Sequence, residues 1–167
     1  MCPKPFATLA VIEQFGLEGV VAKRLDSVYE AGRRSRAWMK WKRLLRQELV
    51  VGGWMPGTGG RSGRIGSLLV GYYDAAGATE LRYAGRVGTG FSEAELARLE
   101  TKLTPLRRDT SPFTGGKVPK TAVFVEPVVV VEVRFTEWTA GGSVRQPAYL
   151  GERTDKPASE ITRELGA

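Results

Sequence analysis

Apolar residues are spaced in two different ways over the first forty-odd positions. Leu9, Ile12 and Phe15 recur every third residue and Gly16 follows, which predicts the end of a helix over residues 6–15. Leu17 to Arg24 centres on Val20-Val21-Ala22 and predicts a short strand. A basic, turn-rich stretch, residues 30–36, separates it from a segment that alternates strictly. In Ala37–Arg43, Trp38, Lys40 and Lys42 fall on one side and Met39 and Trp41 on the other, as in a strand.

After about residue 45 the pattern becomes short strands punctuated by glycine. Residues 48–55 predict a strand, 56–63 a glycine-rich loop, and 65–74 with 80–87 a hairpin turning through 75–78. Ser92-Glu-Ala-Glu95 is a capping box, in which the Ser92 hydroxyl takes the Glu95 amide and Glu95 reaches back to the Ser92 amide. Phe91 and Leu96 stand where a hydrophobic staple would, and Leu96, Leu99 and Leu103 give one apolar stripe, so a helix is expected over 93–103. Residues 104–122, rich in Pro, Thr and Gly, predict a long loop. Residues 127–138 predict the strongest strand, with Val128 to Val131 buried on both faces and separate faces beyond them. A last strand is expected over 143–150 and a short terminal helix over 159–165. From residue 46 the order is three strands, a helix and two strands. That is the order of a five-stranded Greek-key OB barrel with its helix between strands three and four.

The bulk of the sequence narrows the chemistry. The chain of 167 residues has one cysteine, Cys2, and no histidine. These exclude an internal disulfide, a structural zinc site, His-ligated metals and histidine-assisted nucleophilic catalysis. A hard cation held by carboxylates and phosphates stays possible. No apolar run reaches the ~20 residues that span a bilayer, so no membrane association is expected and the chain is expected to be soluble and intracellular. The net charge of +7 is uneven: residues 1–43 hold nine Lys/Arg against four Asp/Glu, and residues 44–167 sixteen against fourteen. A basic first quarter suits a polyanion, although a solvated basic face would look the same.

Three segments carry candidate chemistry. In Leu17-Glu-Gly-Val-Val-Ala-Lys-Arg24, Glu18 and Lys23 lie on opposite faces of an ideal strand. The carboxylate can hold a divalent metal and the lysine a phosphate; a plain edge strand is the simpler alternative. In Trp38-Met-Lys-Trp-Lys42, Lys40 and Lys42 share a face. Two ammonium groups side by side repel, and an anion between them would account for the arrangement, as would a basic edge that blocks aggregation. In Arg145–Lys156, Arg153 and Lys156 flank Asp155, an arrangement that a surface ion pair worth ~0–1 kcal/mol would also explain.

Taken together and in this order, the three segments resemble the nucleotidyltransferase superfamily of ATP-dependent DNA ligases. Glu18–Lys23 looks like that family's fourth motif, Trp38–Lys42 like its fifth and Arg153-Thr-Asp-Lys156 like its sixth. The wording of residues 16–27 is most similar to the ligase domain of bacterial DNA ligase D, the end-joining ligase of DNA repair and recombination. The resemblance implies a mainly β chain. Residues 1–45 would be the last strands of an adenylation domain and residues 46–167 an OB-fold. It implies ATP and Mg²⁺ (or Mn²⁺) as cofactors and nicked or broken double-stranded DNA as partner, in the bacterial cytoplasm at the nucleoid. Glu18 would bind the metal, and Lys23 would line the nucleotide pocket. Lys40 and Lys42 would contact the AMP α-phosphate. Arg153 and Lys156, positioned by Asp155, would orient the leaving pyrophosphate. Arg61, Arg64, Arg86, Lys117 and Lys120 are the expected contacts to the DNA backbone.

One departure from the family pattern matters. Ligases attack ATP with the lysine of a Lys-x-Asp-Gly motif, and no lysine of this sequence is followed by x-Asp-Gly. The chain alone is therefore expected neither to adenylylate itself nor to seal nicks. An expressed fragment, a truncated reading frame and half of a split ligase completed by a separate adenylation-domain polypeptide are all consistent with this. A stand-alone OB module that binds DNA without catalysis, and the related RNA-ligase and RNA-capping branch, are the alternatives.

Overall fold

A computed structural model describes Gln14, Leu17 and residues 19–33 and 35–164; of Arg61 it describes only the backbone. The helix expected over 6–15 falls outside the described residues except for Gln14, which is helical, and Glu18 falls outside them altogether. The chain divides into two compact units, Met1–Leu44 and Leu45–Ala167.

The first unit is built on an antiparallel pair, β1 (Gly19–Lys23) and β2 (Trp38–Lys42). Gly19 faces Lys42, Val21 faces Lys40 and Lys23 faces Trp38. The connection is tied by the Trp38 indole N–H donating to Ser27 Oγ at 3.0 Å, and by the Arg24 N–H donating to the Ala37 carbonyl at 2.8 Å.

The second unit is a strongly curled sheet. Its main strands are β3 (Leu45–Pro56), β4 (Ile65–Tyr73), β5 (Leu81–Val87), β8 (Val123–Phe135) and β11 (Ala148–Arg153). The short pieces are β6 (Arg107–Arg108), β7 (Phe113–Thr114), β9 (Glu137–Trp138) and β10 (Val144–Arg145). The sheet runs β11-β8-β3-β4-β5-β7, with β6 added to β8. Two bonds draw β5 and β11 together: the Tyr149 amide of β11 donates to the Thr89 carbonyl after β5 at 2.9 Å, and the Thr89 hydroxyl donates to the Pro147 carbonyl at 3.2 Å. The five long strands keep the chain order that the sequence predicts for an OB-fold.

Curling needs close approaches. In mid-β3 the register shifts between Val51 and Gly53, and a Cβ on Gly53 would stand 2.5 Å from the Val123 carbonyl oxygen. Only glycine lets β8 cross β3 this tightly.

Helix α1 (Glu93–Leu103) has the predicted bounds, and its stripe, Leu96, Leu99 and Leu103, is wholly buried in the barrel core. Each such leucine contributes about 1.5–3 kcal/mol. The Ser92 hydroxyl accepts the Glu95 amide at 3.2 Å. The reciprocal half of the capping box is not made, because the Glu95 carboxylate is taken by Arg98 (2.7 Å) and by the Tyr149 hydroxyl.

The long loop after the helix is more ordered than its composition suggests. It holds β6, β7 and a 3-10 turn (Thr104–Leu106). Phe113, Val118, Ala122 and Phe124 then pack on the outer face of the sheet over Val50, Leu69 and Val130. Strand β8 starts four residues earlier than expected. Of the valine run, Val129, Val130 and Val131 are buried but Val128 is 60% exposed. The cause is the bulge opposite Gly52, where Val51 pairs with Val129 while Gly53 pairs with Phe124. The strand expected over 143–150 splits into β10 and β11 at Gln146, which has a positive φ of 51°.

The expected terminal helix is a 3-10 turn, Ala158–Glu160, followed by extended chain. The Tyr73 amide donates to the Ile161 carbonyl at 2.8 Å, so the tail completes an edge of the sheet instead of coiling. Gln47, 3% exposed, fixes it: its Nε2 donates to the Thr162 carbonyl (2.9 Å) and its Oε1 accepts from the Glu164 amide (3.1 Å). Gln47→Ala should cost about 1–3 kcal/mol by leaving these two groups unpaired. Amide exchange shows it directly; unaltered protection of Glu164 would mean the tail is held by something else.

A charged web joins α1 to β11. Glu152 accepts from Arg98 (2.6 Å) and from Lys102. Hydrogen bonding to Arg98, aided by the Tyr149 hydroxyl, holds the Glu95 carboxyl down at about 2 against its ordinary 4.5. A depressed carboxylate stabilises the fold fully above the unfolded value and loses that contribution as pH falls toward the folded one. Urea midpoints should therefore drop between about pH 4.5 and pH 2, and Glu95→Gln should flatten that drop. An equal acid slope in both proteins would show that Glu95 is not its source.

Candidate nucleotide-handling and phosphate-binding residues

The β1–β2 register places Lys23, Lys40 and Lys42 on one face of the hairpin with Val21 and Trp38. Val21, Trp38 and Lys40 of that face line a cavity of about 510 Å³ together with Val28, Tyr29, Glu30, Arg33 and Ser35 of the connection. The Lys23 ammonium sits 4.0 Å from the centroid of the Trp38 ring. The ring in turn packs against Tyr29 at 5.5 Å. A cation held over an aromatic face is oriented without losing its charge. The cavity thus offers the Lys40 ammonium and the Arg33 guanidinium, with Glu30, beside apolar walls, which suits a phosphorylated ligand that also has a flat or apolar part. Met39 and Trp41, on the opposite face, are 56% and 51% exposed.

In the second unit the end of β11 brings Arg153, Asp155 and Lys156 together. Arg153 Nε and Nη2 donate to the two Asp155 oxygens at 2.8 and 2.7 Å. This fork lowers the Asp155 carboxyl to about 2, with help from its own backbone amide, and raises the Arg153 guanidinium further. The remaining edge of Arg153, Nη1, faces Glu48 at 3.5 Å and Glu132 at 3.6 Å, and Lys156 reaches Glu48 at 3.3 Å. Sequence reasoning missed both glutamates. They lie on β3 and β8 and meet only through strand register, where Glu48 faces Glu132.

The five residues expected on DNA are not equivalent. Arg64 pairs with Glu93 (3.0 Å) and Glu100 (4.0 Å) of α1, so its charge is partly spent inside the domain. Arg86 is exposed and faces Leu69 in the register, on the outer side of the sheet. Lys117 and Lys120 are exposed on the segment that packs over that side. The Arg61 side chain lies outside the described residues. Of the aromatics available for stacking on bases, Trp54, Tyr72 and Tyr73 are 4%, 7% and 6% exposed and belong to the core, while Tyr83 is half-buried and packs edge-on against Phe113 at 5.2 Å. Among the described residues no group of three or more His, Cys, Asp or Glu could hold a metal, and no helix is long and apolar enough to cross a membrane.

Two family models match the chain: the ATP dependent DNA ligase domain over residues 7–42 and the ATP dependent DNA ligase C terminal region over residues 61–156. The multifunctional non-homologous end joining DNA repair protein LigD of Mycobacterium tuberculosis is 48% identical over 158 residues, 93% of this chain and 20% of that protein. The crystal structure of the M. tuberculosis LigD ligase domain superposes with a TM-score of 0.67 at 47% identity, covering 93% of this chain and 50% of that one. A mycobacterial DNA ligase D complexed with ATP and MES gives 0.61 at 46% identity, with the same coverage of 93% and 50%. The chain belongs to the ATP-dependent DNA ligases. Within that family it is similar to the ligase domain of the bacterial end-joining LigD proteins, and it spans about a fifth of the length of the relatives it matches.

Proposed function

We propose that this chain supplies the phosphate-handling residues of an ATP-dependent, LigD-type ligase that seals breaks in double-stranded DNA through lysyl-AMP and DNA-adenylate intermediates. The observation that carries the reading is the single face holding Lys23, Lys40, Lys42 and Trp38, two of which, Lys40 and Trp38, line the 510 Å³ cavity. In this reading Lys40 and Lys42 bind the α-phosphate of ATP and keep it in place while the phosphoryl group is transferred, and Lys23, held over the Trp38 ring on the same face, lines the nucleotide site. Arg153 and Lys156, the former gripped by Asp155, orient the pyrophosphate as it leaves. Phosphoryl transfer asks for little more than such positioning and neutralisation of oxygen charge. A divalent cation, Mg²⁺ or Mn²⁺, would supply further neutralisation, with Glu18 and phosphate oxygens as ligands; one or two carboxylates are enough for such a site. Arg86, Lys117 and Lys120, with Arg61, would contact the DNA backbone, and Arg64 less so because α1 already engages it. The setting is the bacterial cytoplasm, at the nucleoid.

The attacking amine belongs to the Lys-x-Asp-Gly motif, so we infer that the chain by itself is inactive and requires an adenylation half. Residues 1–45 then complete that half's domain and residues 46–167 form the OB domain. The test is nick sealing with ATP and Mg²⁺ by this chain alone and mixed with a polypeptide carrying the adenylation half. Sealing only by the mixture supports the reading. Sealing by the chain alone would mean that the nucleophile lies elsewhere in it. Inactivity of both, with salt-sensitive DNA binding, would favour a non-catalytic OB module; the buried Trp54, Tyr72 and Tyr73 speak against a stacking single-strand binder.

A further inference from the structure

Glu48 and Glu132 present a physical puzzle. They are opposite one another on adjacent strands, and their side chains are only 15% and 24% exposed. Like charges placed so are destabilising. Both lie on the outer face of the sheet, in line with Val50 and Val130, and Arg153 lies beside Val130 on the same face. What makes the pair tolerable is the cations gathered on it: Arg153 touches both, Lys156 touches Glu48, and Arg46 reaches Glu132 at 3.9 Å.

We propose that Glu48 and Glu132 are positioning residues: they form a carboxylate cradle that holds Arg153 and Lys156 against the sheet and gives them up when phosphate oxygens take the carboxylates' place. The division of labour on Arg153 makes the exchange local. Asp155 holds Nε and Nη2 in a two-pronged bond, fixing the plane of the guanidinium. Only the Nη1 edge changes partner. Carboxylate and phosphate oxygens are equivalent acceptors for it, so the exchange swaps one charge-assisted bond for another and needs no refolding of β11. The cradle rests on the reading of Arg153 and Lys156 as pyrophosphate-binding residues, and it adds that their affinity for polyphosphate is set by competition with Glu48 and Glu132.

Inorganic tripolyphosphate titrated into the full 167-residue chain tests this. Glu48→Gln/Glu132→Gln keeps the shape of the cradle and removes its charge. It should bind tripolyphosphate about tenfold more tightly than the unaltered chain, since each lost competitor is a largely covered carboxylate whose cation stays a third or more exposed, a pair of modest strength. Adding Arg153→Ala and Lys156→Ala to that variant should erase the gain. Glu132→Gln alone, which leaves Glu48 to hold Lys156, should show part of it and guards against misfolding of the double variant. Equal affinity in the unaltered and cradle-less chains overturns the proposal, and so does a gain that survives loss of Arg153 and Lys156. A mixture that fails to seal nicks while the affinity difference persists would instead overturn the ligase reading and leave the cradle standing.

Discussion

Lys40→Ala should lower nick sealing by the reconstituted mixture about 10²–10³-fold, and Arg153→Ala should do the same only when the reaction starts from ATP. The first figure is the ordinary consequence of removing one preorganised donor from a developing oxyanion. The difference between the two residues follows from which phosphate each is placed to meet. The α-phosphate persists through every step, in ATP, in lysyl-AMP and in the DNA adenylate. Pyrophosphate exists only while the lysine amine attacks the α-phosphorus and the bond to the β-phosphate oxygen breaks. A nick carrying a preformed 5′-adenylate therefore separates the roles: Lys40→Ala should still be slow on it, and Arg153→Ala should seal it at nearly the unaltered rate. Equal defects on both substrates would remove the pyrophosphate role from Arg153. Normal sealing by Lys40→Ala would remove the α-phosphate from the face it shares with Lys42 and Trp38. Lys40 is an exposed residue of β2, so its truncation opens no cavity in a core.

What the sequence disclosed of this site was its local part. Lys40 and Lys42 could be put on one face because strand alternation needs only a count of two, and Arg153, Asp155 and Lys156 stand within four residues. The helix over 93–103 was legible for the same reason, since the Ser92 cap and the Leu96, Leu99 and Leu103 stripe are all near neighbours. The residues that failed to show themselves depend on register between distant strands. Nothing near Glu48 in the chain announces Glu132, and nothing near either announces that Arg153 will lie across both. Gln47 stands just outside the strand expected over 48–55, and nothing near it in the chain announces the tail it binds, Thr162 and Glu164, 115 and 117 positions away. The loop over 104–122 and the terminal segment were misjudged together. Their task is to cover the outer face around Val50, Leu69 and Val130, and that demand is set by the sheet, not by their own composition. The exposure of Val128 has the same origin: a bulge required by β3 turns outward a residue that a valine run would place inside.

Gly90→Ala should be the most damaging single-methyl change in the second unit, at about 2–5 kcal/mol. Gly90 has φ of +93°, a conformation closed to L side chains. An added Cβ would also stand 2.3 Å from the Tyr149 carbonyl oxygen and 2.7 Å from its amide nitrogen, both backbone atoms with nowhere to move. Strain of about 1–3 kcal/mol adds to an overpacking cost of similar size. The position matters because the ends of the curled sheet meet there. Tyr149 donates its amide to Thr89, stacks its ring on Phe91 at 4.5 Å and gives its hydroxyl to Glu95. A residue that pushes Tyr149 away thus loosens the β5–β11 closure, the helix start and the Glu95 web at once. The urea midpoint should fall, and the Tyr149 amide should lose exchange protection more than amides of mid-β4 such as Leu69. An unfolding free energy within about 0.5 kcal/mol of that of the unaltered chain, the usual range for a neutral surface change, would show that the closure tolerates a side chain.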